Sequence, residues 1–181
     1  MKYLIVIFFS SFFIQAFSQN LNKAYISDFT INGFPLMFSA EKLKSFEKKI
    51  GKLSNDTIGK YEEFPFIRKI ADEKLENKEI VLYIKNHNVC VSFIDMEKTK
   101  SILKYKGKEG ISNKMSIKDF SKMFPLSYNA FSTIPGVPIE KAVGYSIIIY
   151  RNRKKAYLNF SFYDNHLVYL SISNNYTKIT N

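Results

Sequence analysis

Cysteine is nearly absent from this chain. Cys90 stands alone, so no internal disulfide can form and stability has to come from packing. It lies in a strand pattern, Val89 to Met96, where a small buried apolar filler is the expected role. A nucleophile there would need a partnering base. Histidine is as scarce. His87 and His166 both fall in predicted hairpin turns, which run over the surface and leave no pairing for metal or acid-base work. The chain has no glycine-rich phosphate loop, no His-Glu-x-x-His, no paired cysteines and no Gly-x-Ser-x-Gly. Nucleotide-binding, zinc-protease, thiol-redox and serine-hydrolase readings therefore lose their usual support. The sequence offers no catalytic residue, no metal ligand set and no cofactor motif, and the expectation is a protein that is not an enzyme.

A long apolar run is also missing beyond the extreme N-terminus. Lys2 followed by Leu4 to Ile14 and then Ala16-Phe17-Ser18 is the pattern of a signal peptide, residues 1–18, cleaved before Gln19. The run is shorter than the ~20 apolar residues of a membrane-spanning helix; a retained anchor is the alternative. No cysteine follows it to carry a lipid. The mature chain is expected to be exported, periplasmic or secreted, without a transmembrane segment.

What is present is a great deal of Phe and Tyr, 17 and 12 residues with no Trp, and an excess of positive charge, +11 overall. That charge is divided unevenly. Residues 19–97 carry 12 basic and 12 acidic side chains, whereas residues 98–181 carry 14 and 4. Such asymmetry marks a surface for an anionic partner, unless it only keeps the protein soluble.

Alternation of apolar and polar residues is clearest in Tyr145 to Ser173. Ile147 to Ile149 is a β-branched run; Ala156, Leu158, Phe160 and Phe162 alternate with polar neighbours; Val168, Leu170 and Ile172 do the same. Arg151 to Lys154 and Asp164-Asn165 supply the turns. Earlier, Glu79 to Lys85 and Val89 to Met96 predict a hairpin around Asn86-His87-Asn88, with Ser101 to Lys106 as a third strand and Phe29 to Ile31 as a short one. Asn20 to Asp28 reads as a polar lead-in. Ser39 caps a helix over Ala40 to Ile50, closed by Gly51. Leu53 to Glu63 reads as a loop, in which Asp56-Thr57-Ile58 resembles a bacterial O-glycosylation site. Phe66 to Asn77 reads as a second helix whose wet face carries Asp72, Glu73 and Glu76 among Lys69, Lys74 and Lys78. Ser116 caps a third helix stopped by Phe124-Pro125, and Val137 to Val143 suggests a fourth, opened by Pro138.

Gly110 to Ser116 matches Gly33 to Ser39 without a gap at a spacing of 77 residues, glycine on glycine and serine on serine. A long fixed spacing of this kind indicates a duplicated unit. The expected fold is α+β: two tandem similar units, each one or two short helices packed on an antiparallel β-meander. The units are residues 19–109 and 110–173, with a polar tail at 174–181.

The unit openings, Met37-Phe38-Ser39 through Ile50-Gly51-Lys52 and Met115-Ser116-Ile117-Lys118-Asp119-Phe120, together with this element order, resemble exported bacterial proteins of the beta-lactamase-inhibitor-protein type. They also resemble the single unit of outer-membrane assembly lipoproteins of the SmpA/OmlA type. The second opening departs from the pattern, ending in Phe124-Pro125 in place of an apolar-Gly pair. The resemblance implies a non-catalytic binding or inhibitor-like module, and no contact residue carries over. A cell-envelope assembly or structural factor is the alternative, and an enzyme of unfamiliar type ranks below both.

Two basic features are candidate binding elements. Lys98, Lys100, Lys104, Lys106 and Lys108 fall on even positions and share a face if the stretch is extended, either as a contact row or as protection of an edge strand. Arg151, Arg153, Lys154 and Lys155 crowd one hairpin turn beside Tyr157. The binding set is therefore Arg151, Arg153, Lys154, Lys155, Tyr157, Lys104 and Lys106. It is aimed at an unknown protein or anionic envelope component; nucleic acid ranks last because an exported protein rarely meets it.

Overall fold

The computed structural model describes residues 20–59, 62–133, 138 and 141–175. Strands dominate it. The first ten are β1 (Lys23–Tyr25), β2 (Phe29–Ile31), β3 (Phe34–Pro35), β4 (Met37–Ser39), β5 (Ser54–Asp56), β6 (Glu63–Phe64), β7 (Lys69–Ile70), β8 (Glu73–Glu76), β9 (Ile80–Lys85) and β10 (Asn88–Asp95). They are followed by β11 (Leu103–Tyr105), β12 (Lys108–Ile111), β13 (Ser132–Thr133), β14 (Ala142–Arg151), β15 (Lys154–Tyr163) and β16 (His166–Ser173). The helices are short: α1 (Leu43–Ile50), α2 (Ile117–Met123) and α3 (Pro125–Tyr128). The fold is α+β with mostly antiparallel sheets.

The main sheet runs β1-β14-β15-β16-β10-β9-β8-β5, with β13 added beside β14 and β4 beside β10. β1 lies parallel to β14, and the other pairings in this sheet are antiparallel. A smaller sheet, β12-β11-β2-β3, and the β6-β7 pair complete the architecture. The boundary expected at residues 109 and 110 falls inside β12, and β1 and β14 share a sheet across it.

The hairpin turns explain the registers. Asn86 and His87, and likewise Asp164 and Asn165, have positive φ, the left-handed pair that matches the twist of a two-residue hairpin. Asn and Asp tolerate that region better than most residues. Each following strand carries one extra residue. Ser92 is unpaired between Val91 and Phe93, and Val168 between Leu167 and Tyr169.

The core is aromatic. Phe120 on α2 is fully buried and stacks on Tyr145 at 4.7 Å, with Phe160 at 5.0 Å, Phe124 at 5.3 Å and Phe162 at 5.8 Å. Phe34, Phe38 and Phe46 form a matching cluster under α1. The cap of α2 is the one Ser116 announced: its Oγ accepts from Asp119 N at 3.1 Å, and the Asp119 carboxylate accepts from Ser116 N at 3.2 Å. Ser39 instead precedes a 3₁₀ turn, Ala40–Lys42, and makes no side-chain cap bond.

Several expectations change. Residues 66–77 are not a helix. Phe66 and Arg68 take positive φ in the β6–β7 turn, and Glu73–Glu76 forms β8 between β9 and β5. The sparse apolar residues there had no helical face to bury, whereas β9 and β5 offered a ladder. The left-handed Phe66, a costly conformation for a bulky residue, is pinned by Asn174. The Asn174 carboxamide accepts from Phe66 N at 2.7 Å and donates to Glu63 Oε2 at 3.0 Å and Phe64 O at 3.2 Å. Asn174, expected in a polar tail, is therefore buried. The lead-in at 20–28 contains β1, the loop at 53–63 contains β5, and Ala142 and Val143 open β14 rather than closing a helix. The leader at 1–18, most of the expected helix at 137–143 and the tail at 176–181 lie outside the described residues.

Phe120 touches four other rings, so Phe120→Ala should cost ~3–5 kcal/mol, read as a lowered urea midpoint at unchanged m-value.

Candidate functional site

Side chains on β14, β15 and β16 alternate between two faces. One face carries Tyr145, Ile147, Leu158, Phe160 and Leu170 into the core. The other is built from cross-strand rows: Ile148, Tyr157 and Ser173; then Ser146, Asn159 and Ser171; then Gly144, Ser161 and Tyr169. The middle row is a hydrogen-bonded ladder. Ser146 Oγ donates to Asn159 Oδ1 at 2.7 Å, and Asn159 Nδ2 donates to Ser171 Oγ at 3.4 Å and Ser173 Oγ at 3.1 Å.

The basic hairpin stands at one end of this face. Arg153, Lys154 and Lys155 are exposed at its tip, and Lys155 Nζ lies 6.0 Å from the Tyr157 ring centre. Among the described residues, no carboxylate pairs with these three cations. Arg151 differs. It is partly buried, and its Nη2 donates to Asn88 Oδ1 at 2.7 Å, tying the tip to the β9–β10 hairpin. The structure therefore keeps Arg153, Lys154, Lys155 and Tyr157 together and gives Arg151 a bracing role.

Lys104 and Lys106 belong to the smaller sheet. Lys104 is half-buried on β11 opposite Thr30 and Glu109, and Lys106 sits in the following turn with its Nζ 5.3 Å from the Tyr105 ring centre. Asp28 and Tyr25 stand between them and the hairpin. Lys106 N donates to Asp28 O at 2.7 Å, Tyr25 N donates to Asp28 Oδ2 at 3.0 Å, and Tyr25 is paired with Tyr150, their rings 6.5 Å apart. The five even-numbered lysines do not share a strand face. Lys98 sits in a turn bonded to Asp95 at 2.7 Å, β11 ends at Tyr105, and Lys108 is on β12.

At the other end of the sheet face lies a cavity of about 590 Å³, whose lining includes Ser132, Gly144, Ser161, Tyr163, Tyr169 and Glu97. It was not read from the sequence, because the contribution of β13 becomes visible only once Ser132 pairs with Gly144. The alternation of Tyr163 and Ser161 on one strand was the available signal.

A second unread cluster surrounds Lys74 on β8. Its ammonium meets Asp56 at 2.7 Å, Glu62 at 3.3 Å and Glu76 at 3.3 Å, and the Asp56 hydrogen bond above all holds its pKa up. Burial, and then Glu62, raises Tyr83 beside it. Burial drives the Cys90 thiol upward and, followed by Tyr128, pushes Tyr145 up to about 12. Among the described residues, no three His, Cys, Asp or Glu side chains are grouped to hold a metal ion, and no helix is long and apolar enough to cross a membrane. No protein-family model, curated protein or solved structure matches the chain.

Asp56, Asp72 and Asp119 are held below the ordinary carboxylate value of 3.8, first by Lys74, Lys85 and the Ser116 cap respectively. A lowered folded-state pKa contributes stability above the unfolded value, and that contribution disappears as pH falls through the folded one. Stability should therefore fall on acidification below about pH 4. Carboxylate NMR titration should place all three below 3.8, and Asp119→Asn should flatten the acid limb of the unfolding midpoint.

Proposed function

We propose that the chain is a non-catalytic exported binding module that presents its basic hairpin and the outer face of β14–β16 to an anionic partner. The observation that carries this is the hairpin tip. Three exposed cations without a carboxylate partner among the described residues stand beside Tyr157 on a rigid sheet face. Cations left unpaired and backed by an aromatic ring suit recognition more than fold stability. An acidic protein and an acidic envelope component share this chemistry.

The same reading takes the chain as two tandem copies of a helix-on-meander unit. Ser39 pairs with Asn88, and Ser116 with His166. Each serine precedes a helix, and each partner opens the strand after a left-handed two-residue turn. The serines are 77 residues apart and their partners 78, a match to within one residue. The expected third strand of the first meander, Ser101 to Lys106, lies in the smaller sheet; with β8 taken as the opening strand in its place, β10 and β16 close the two meanders and pair antiparallel, as a two-fold arrangement of copies requires.

Arg153, Lys154 and Lys155 can be replaced together by serine while Arg151 keeps its bond to Asn88. Capture of the partner from a cell-envelope extract should fall roughly tenfold for that variant, with unfolding unchanged. Raising salt to ~1 M, where the Debye length is ~3 Å, should weaken wild-type capture in the same way. Equal capture by variant and wild type at low salt would refute the hairpin's role.

A further inference from the structure

We propose that the cavity at the Tyr163 end of the outer sheet face is a binding site for a neutral saccharide. The inference rests on the reading of this face as the working surface, and it names a ligand class for the end remote from the basic hairpin.

The cavity exists because its floor is small. Gly144 and Ser161 are paired across β14 and β15, and Ser132 closes in from β13. A Cβ at Gly144 would lie 2.7 Å from Ser132 Oγ, so any side chain there would have to push the Ser132 hydroxyl out of its place over the floor. Tyrosines rise on two sides, Tyr163 half exposed and Tyr169 paired with Ser161. The volume, about 590 Å³, lies inside the range of small-molecule sites, and a concave site of this size suits a compact ligand better than a protein surface, which buries a broad flat area.

The lining selects the chemistry. A pyranose has an apolar C–H face that packs on an aromatic ring, and a rim of hydroxyls that both donate and accept. Tyr163 and Tyr169 supply rings. Ser132 and Ser161 supply hydroxyls, which both donate and accept. The Ser161 hydroxyl has no hydrogen-bond partner among the described residues, although the Asn159 and Ser132 side chains are both engaged. Glu97 is the only charged side chain among the described lining residues. Lys98 stands near Glu97 and Tyr169, but its ammonium is bonded to Asp95 at 2.7 Å. Two carboxylates around one ammonium disfavour phosphate, sulfate or uronate, and the hydroxyl and ring lining suits an uncharged occupant, unlike the partner of the hairpin.

The test is saturation-transfer NMR and calorimetry with three neutral probes, maltotriose, cellotriose and triacetylchitotriose, on the mature chain. Saturable binding of at least one is expected. Tyr163→Ala and Tyr169→Ala should each weaken it about tenfold, since one aromatic stacking contact is of that order. Ser161→Phe, which fills the floor from a half-exposed position, should abolish it. Tyr163 is exposed, so its variant keeps the test valid if the Ser161 variant misfolds. The hairpin triple-serine variant should bind the saccharide as wild type does, which separates this site from the proposed contact with an anionic partner. No response to any of the three probes overturns the proposal. So does binding that survives both tyrosine substitutions, or a protein partner lost in the tyrosine variants without any saccharide response.

Discussion

Three residue pairs join the two halves of the main sheet. Phe93, Ile94 and Asp95 of β10 lie against Ser171, Leu170 and Tyr169 of β16. Every strand from β1 to β16 on one side and from β10 to β5 on the other takes its position from that seam. Ile94 and Leu170 are almost fully buried, and the tilted rings of Phe93 and Tyr169 meet at 5.4 Å on the opposite face, so the seam is held from both sides. A short ladder suffices because burial on one face and ring contact on the other both fix the register.

The two ends of the chain tighten this arrangement. Asn22 lies just before β1. Its carboxamide oxygen accepts from Leu126 N at 2.9 Å and Ser127 N at 3.0 Å, capping α3, while its own carbonyl accepts from Ile148 N. Asn174, just past β16, clamps the strained turn at Phe66. Each asparagine satisfies backbone groups that would otherwise be left without partners, and each does so across more than 100 residues of sequence. A carboxamide can both donate and accept, as buried Asn174 does, which suits it to such crossings.

Legibility in the sequence followed the range of the interactions. β14, β15 and β16 were readable because their alternation is local and their turns carry Asn and Asp where positive φ is needed. The Ser116 cap was readable because its partner, Asp119, is three residues away. β8 was not, because Glu73 to Glu76 gains strand geometry only from β9 and β5, and its charged residues mimic the wet face of a helix. Asn22 and Asn174 were invisible for the same reason. At the candidate site, the basic tip could be read as a run of charge. Arg151's bond to Asn88 and the cavity over Gly144 depend on strands that meet only in three dimensions.

The outer face is thereby divided by its own hydrogen bonds. Ser146, Asn159, Ser171 and Ser173 satisfy one another across three strands, leaving that band no strong call on a ligand. On one side of the band are cations without carboxylates; on the other are tyrosines and Glu97, with the nearby Lys98 tied to Asp95. β15 links the two, with Lys155, Tyr157, Asn159, Ser161 and Tyr163 in file on one face, a span of roughly 27 Å at strand spacing. Tyr163 is thus about three Debye lengths from Lys155 at physiological salt, so the hairpin's charge is largely screened at that end of the face. The two ends are electrostatically independent and can differ in what they bind while sharing one rigid support.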